Sequence, residues 1–129
     1  MRSGIPDDVR RFLLQSIDSV EQLEILLLLH GSPATDWSPD AVAQHLYSNP
    51  ASVARRLAAL QAKEALSTND LASTYRYRPG TPDLDATITR LAEVYRQRRV
   101  AVITAIASKP MENVRAFSDA FRLRKKDQE

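Results

Sequence analysis

The chain has no cysteine, which excludes disulfides, thiolate metal ligands and a cysteine nucleophile. Only 3 glycines are present, and no glycine-rich loop able to cradle a phosphate can be assembled from them. The longest apolar run, residues 25–29, falls far short of the roughly 18 residues that cross a bilayer. The N-terminal region lacks the apolar segment of a signal peptide, so the expectation is a cytoplasmic protein without a membrane partner. His30 and His45 have no second histidine or carboxylate cluster at ligand spacing, and no metal site is predicted. The serines and threonines fall at caps and turns, where local hydrogen bonding accounts for them without a catalytic triad. No catalytic residue, cofactor or effector-binding signature emerges, and the chain is not expected to be an enzyme. No internal repeat or low-complexity segment appears.

What is present is an ordinary globular composition: 129 residues, 43% hydrophobic and 26% charged. That suffices for one domain with a core and an extra helical element, not for two full domains. The net charge of +2 is unevenly spread. Residues 1–36 carry 3 basic and 6 acidic side chains, residues 37–80 carry 5 and 3, and residues 81–129 carry 10 and 7. The basic excess in the last two segments tilts toward a polyanion partner.

Residues 37–78 organise the rest. Ser38 is placed to cap a helix, with Pro39 at its first position and Asp40 suited to the helix N-terminus. Ala41, Val42, His45 and Leu46 recur on its inner face. Tyr47-Ser48-Asn49-Pro50 ends this helix and starts another, with Asn49 as N-cap. Over residues 50–64, Val53, Leu57 and Leu60 form one buried stripe. Two strand candidates follow, residues 65–67 and 73–78, with Thr68-Asn69-Asp70 as turn chemistry. Alternation along the second sends Tyr75 and Tyr77 to one side and Arg76 and Arg78 to the other.

The W-S-P-D-A-V-A-Q-H-L helix, the P-A-S-V-A-R-R-L-A-A-L helix and the L-S...Y-R-Y-R hairpin together resemble the winged helix-turn-helix domains of small bacterial transcriptional regulators, over roughly residues 19–78. Such domains usually carry glycine just before the first strand, because the chain turns there in a left-handed conformation; this chain has Ala65. The resemblance implies a mainly α fold with a small β-hairpin. It places a winged helix-turn-helix in residues 1–80 (core 19–78), and the pattern beyond it makes residues 81–129 a C-terminal helical extension and dimerisation element.

Upstream, Val9, Phe12, Leu13 and Ile17 give residues 6–17 an amphipathic helical pattern. Ser19 and Gln22 form a capping-box signature for a helix through Val20, Leu23, Ile25 and Leu26 to Leu29, expected to be buried on most sides. Gly31 is suited to a left-handed C-cap. Leu26, Leu29, Val42, Val53, Leu57 and Leu60 are expected to form one core cluster. Downstream, Thr81-Pro82-Asp83 opens one helix over residues 82–107, about 39 Å long at 1.5 Å per residue. Leu84, Ile88, Leu91, Tyr95, Val102 and Ile106 approximate a heptad seam interrupted at Arg98. Two partners suit that seam: a second copy, giving a homodimer through residues 82–107, or the first helix of the same chain. Pro110 starts a last helix bearing Val114, Phe117 and Phe121, and a basic run closes the chain over residues 122–126.

The function implied by the resemblance is a DNA-binding transcriptional regulator with double-stranded DNA as partner. The helix over residues 50–64 enters the major groove and the wing, residues 65–78, meets the backbone. The candidate DNA-binding residues are Asn49, Ser52, Arg55, Arg56, Arg76 and Arg78. From the Val53/Leu57/Leu60 stripe, Arg55, Ala51, Ala58 and Ala62 point outward, with Ser52 and Ala59 beside them and Arg56 lateral. That face is rich in alanine and poor in base readers, which leaves a second reading open: a winged-helix protein–protein interaction module that binds no DNA.

Overall fold

A computed structural model describes residues 4–109. Six helices and one two-stranded hairpin are seen among them: α1 (Asp7–Ser16), α2 (Val20–His30), α3 (Pro39–Leu46), α4 (Pro50–Ala62), β1 (Leu66–Asn69), β2 (Thr74–Tyr77), α5 (Pro82–Gln97) and α6 (Arg99–Ala107). The protein is thus mainly α with a small antiparallel β-hairpin. The helix expected from Pro110, with Val114, Phe117 and Phe121, and the basic run over 122–126 lie outside the described residues.

Local chemistry sets the helix starts. Ser19, Ser38, Asn49 and Thr81 each accept a backbone N–H of the following first turn, and Pro39, Pro50 and Pro82 open their helices. Each cap satisfies a donor that has no partner within its helix. The capping box at Ser19 is displaced by one residue. Gln22 is buried, its Oε1 accepts the N–H of Asp18 rather than that of Ser19, and its Nε2 donates to the Ser16 carbonyl. Gln22 therefore joins the end of α1 to the start of α2. The exit from α2 differs from expectation: Gly31 has φ −71° and ψ −14°, a right-handed helical conformation, and its N–H donates to Leu27 and Leu29 carbonyls. No left-handed turn is needed there, because Ser32 continues the tightened winding by donating to Leu29.

The core runs through all these elements. Leu26, Leu29, Val42, Val53, Leu57 and Leu60 are each 0% exposed and belong to one cluster with Val9, Leu13, Ile17, Leu23 and Ile25. Helix α2 is its axis, packing against α4, α5 and β2, and Leu27 and Leu28 on its remaining sides also touch the cluster. On α3 the inward residues are Val42 and Ala43, with Leu46 partly buried. His45, expected inward, is exposed and sets its ring edge against Trp37 at 5.8 Å.

The continuous helix expected over residues 82–107 is two. Arg98, at φ −134° and ψ 53°, separates α5 from α6, and the break lets both pack on α1. Ile88, Leu91, Val94, Val102 and Ile106 are buried inside the chain. Of the seam, Ile88, Leu91, Val102 and Ile106 are thus covered within the chain, while Leu84 and Tyr95 are partly buried. Lys109, just beyond α6, donates to the Ile17 carbonyl at 2.9 Å and to Asp18 at 2.8 Å, tying this end to the α1–α2 corner.

The hairpin also shifts by a few residues. Strand β1 runs to Asn69, pairing Leu66 with Tyr77, Ser67 with Arg76, Thr68 with Tyr75 and Asn69 with Thr74. The turn is therefore 70–73 rather than 68–70: Thr68 suits a strand, and its hydroxyl donates across to the Thr74 carbonyl. Asn69 Oδ1 accepts the N–H groups of Leu71 and Ala72, and Ser73 takes the left-handed conformation that closes the loop. Before β1 the left-handed residue is Glu64, at φ 66°, while Ala65 is fully buried. The turn that favours glycine thus sits one residue earlier than Ala65. A bridge between Trp37 and Tyr75, with both N–H···O distances 2.8 Å, anchors the hairpin to the segment leading into α3.

Candidate nucleic-acid interface

Helix α4 has one buried edge and one open face. Val53, Leu57 and Leu60 face the core, and Ala51, Arg55, Ala58 and Ala62 are exposed, with Ser52 and Ala59 half-buried. The arrangement follows from 100° per residue around a helix anchored on α2 and α3. Arg55 forms no ion pair or side-chain hydrogen bond with a described residue. It is the cation this face offers outright.

The other candidates carry internal commitments. Asn49 Oδ1 accepts from Ala51 N at 2.8 Å and Ser52 N at 3.2 Å, so its carbonyl serves as the helix cap. Ser52 donates to Glu21 Oε1 at 2.5 Å, and Arg56 Nε donates to the same oxygen at 3.3 Å. The Ser52 hydrogen bond, then Arg56 and Ser48, hold the Glu21 carboxyl below its ordinary range against the opposing effect of burial. Glu21 on α2 thus braces α4 through Ser52 and Arg56. No periodicity in the sequence marks this contact, although an acidic residue in the first turn of α2 was visible.

On the hairpin, the pleat separates two faces. Leu66 and Tyr77 are buried, Tyr75 packs against the core, and Arg76 and Arg78 are exposed on the opposite side. Arg76 Nε donates to Asp36 Oδ1 at 2.8 Å, both side chains being nearly half exposed. Arg78 has no such partner among the described residues. The polar face borders an open cleft of about 250 Å³ lined by Asp36, Ser67, Asn69, Thr74, Arg76 and Arg78, with Thr68 at its edge. Asp36 escaped sequence reasoning because it lies 40 positions from Arg76.

Two exposed apolar side chains frame the same elements. Tyr47, in the α3–α4 turn, is 97% exposed and left-handed at φ 55°. Leu71, at the hairpin tip, is fully exposed. A left-handed backbone is rare for a residue other than glycine, asparagine or aspartate. The cost at Tyr47 comes from closing the short turn between two capped helices.

Among the described residues no cluster of three or more His, Asp or Glu side chains could hold a metal ion, and no helix is long and apolar enough to cross a membrane. No protein-family model, curated protein or solved structure matches the chain.

Proposed function

We propose that the chain is a winged helix-turn-helix regulator of transcription that binds duplex DNA in the bacterial cytoplasm, with α4 in the major groove and the β1–β2 hairpin as the wing on the backbone. The observation that carries this reading is the open face of α4, where Arg55, without a side-chain partner among the described residues, stands among small residues that permit close approach to base edges. Arg78 on the solvent face of the hairpin adds a second cation without a side-chain partner among the described residues. The internal pairs rank the contributions. Arg56 and Arg76 must release or share Glu21 and Asp36 before they serve a phosphate, so they contribute less than Arg55 and Arg78.

Selection from a pool of genomic fragments, followed by binding measurements across salt, tests the proposal. Affinity falls steeply with salt as phosphate contacts release counterions. Arg78→Ala weakens binding to selected and random duplexes alike and reduces the salt slope by about one. Arg76→Ala has a smaller effect, since its charge is already shared with Asp36. Arg55→Ala costs roughly 1–3 kcal/mol on a selected site and much less on random sequence. If no fragment is enriched, and low-salt binding ignores Arg55, Arg76 and Arg78, the proposal fails.

A second reading is favoured by the exposed alanines of α4 together with Tyr47 and Leu71. Small residues and lone exposed apolar groups suit a protein partner, and the fold alone does not choose between them. On that reading the failed DNA experiment is the expected result.

A further inference from the structure

The cleft on the polar face of the hairpin has more hydrogen-bond donors than the protein itself uses. Arg76 spends its Nε on Asp36, which orients the guanidinium and leaves its remaining N–H groups. Arg78, on the same face two residues on, spends none among the described residues. Asn69 uses its Oδ1 to accept from Leu71 and Ala72, so its amide N–H groups remain. Thr74 also lines the cleft, but its hydroxyl oxygen is itself out of contact with solvent and has no hydrogen-bond partner among the described residues, an unusual state for a buried polar atom. Against these donors stands one carboxylate, Asp36. Two guanidinium charges and one carboxylate leave the cleft with a single net positive charge.

We propose that this cleft binds the terminal phosphate of a small phosphate monoester, held between Arg76 and Arg78. The donor excess calls for a ligand made of acceptors, and paired guanidinium forks match the spacing of phosphate oxygens. A terminal phosphate presents three free oxygens and carries about −1.5 to −2 charge near neutral pH. A backbone diester has two free oxygens, one charge and a chain on both sides that must lie over the concavity. The monoester enters end-on. Because it uses Arg78, it competes with duplex for the wing; that consequence, unlike the site, rests on the DNA-binding reading, and it makes the ligand an effector that loosens DNA.

The test is an amide-resolved NMR titration of the full-length chain with methyl phosphate, dimethyl phosphate and chloride at matched ionic strength, repeated on Arg78→Ala. Methyl phosphate is expected to shift hairpin amides saturably, with dimethyl phosphate and the Arg78→Ala variant each at least about fivefold weaker. Equal shifts with chloride, equal affinity for the two esters, or no effect of Arg78→Ala overturns the site. A parallel titration with a short duplex at low salt separates the two readings. Methyl phosphate bound and duplex not bound leaves the site standing and removes the DNA reading. Duplex bound and methyl phosphate not bound does the reverse. When both bind, methyl phosphate is expected to displace duplex from the hairpin, and simultaneous undiminished binding overturns the effector role.

Discussion

Glu21 shows what one side chain decides. Its carboxylate receives Ser52 and Arg56 from α4, and its ionised form is favoured by those contacts. A folded-state value below the unfolded 4.5 means stability that is present above pH 4.5 and is lost as pH falls through the folded value. Glu21→Gln is expected to cost about 1 kcal/mol near neutral pH, since Arg56 is a third exposed and screened, and to flatten the acid limb of urea-denaturation stability. The same change removes a negative charge beside α4 and frees Arg56, so on the DNA-binding reading it strengthens duplex binding while weakening the fold. Unchanged acid-limb stability would show that the brace contributes nothing. Leu57 acts through packing alone: it is fully buried in the common cluster. Leu57→Ala is expected to cost roughly 2–5 kcal/mol, and a loss under about half a kcal/mol in chemical denaturation would contradict its place in the core.

At the level of elements, the passage from α4 into β1 is the sharpest test of local backbone chemistry. Glu64 carries the left-handed conformation and Ala65 does not. Glu64→Gly is therefore expected to be neutral or stabilising by up to about 1 kcal/mol, because relief of the left-handed strain offsets the entropy glycine loses on folding. Ala65→Gly removes a buried methyl at an ordinary backbone position and is expected to destabilise by about 1 kcal/mol. Thermal denaturation of the two variants should move in opposite directions or differ by several degrees in that order; the reverse order would place the turn at residue 65. The break at Arg98 has the same character. Nothing in the composition of residues 96–99 forbids a helix, and the interruption follows from how α5 and α6 both reach α1.

For the whole molecule the question is assembly. Most of the seam that suggested a partner is buried within the chain, where α5 and α6 pack on α1, so a homodimer through residues 82–107 rests on a narrower strip of α6: Val100, 76% exposed, with Ile103 and Ala107 at i+3 and i+7. If that strip joins two copies, sedimentation equilibrium at micromolar concentration returns the dimer mass, and Val100→Glu shifts it to monomer. A wild-type monomer mass rejects the assembly and with it the expectation of a two-fold symmetric DNA site.

Much of this molecule was legible along the chain because it depends on neighbours a few residues apart. Caps at Ser19, Ser38, Asn49 and Thr81, the prolines that follow three of them, the Val53/Leu57/Leu60 stripe and the outward direction of Arg55 are all consequences of helix geometry and orphan backbone donors. The alternation of tyrosines and arginines on β2 is likewise a two-residue property. What distance along the chain hides is which charges neutralise one another. Arg56 meets Glu21 across 35 positions and Arg76 meets Asp36 across 40. These pairings separate the committed cations from Arg55 and Arg78. The kink at Arg98 was set in the same way, by packing of α5 and α6 on α1, whose burial outweighs the weak local preference for a longer helix.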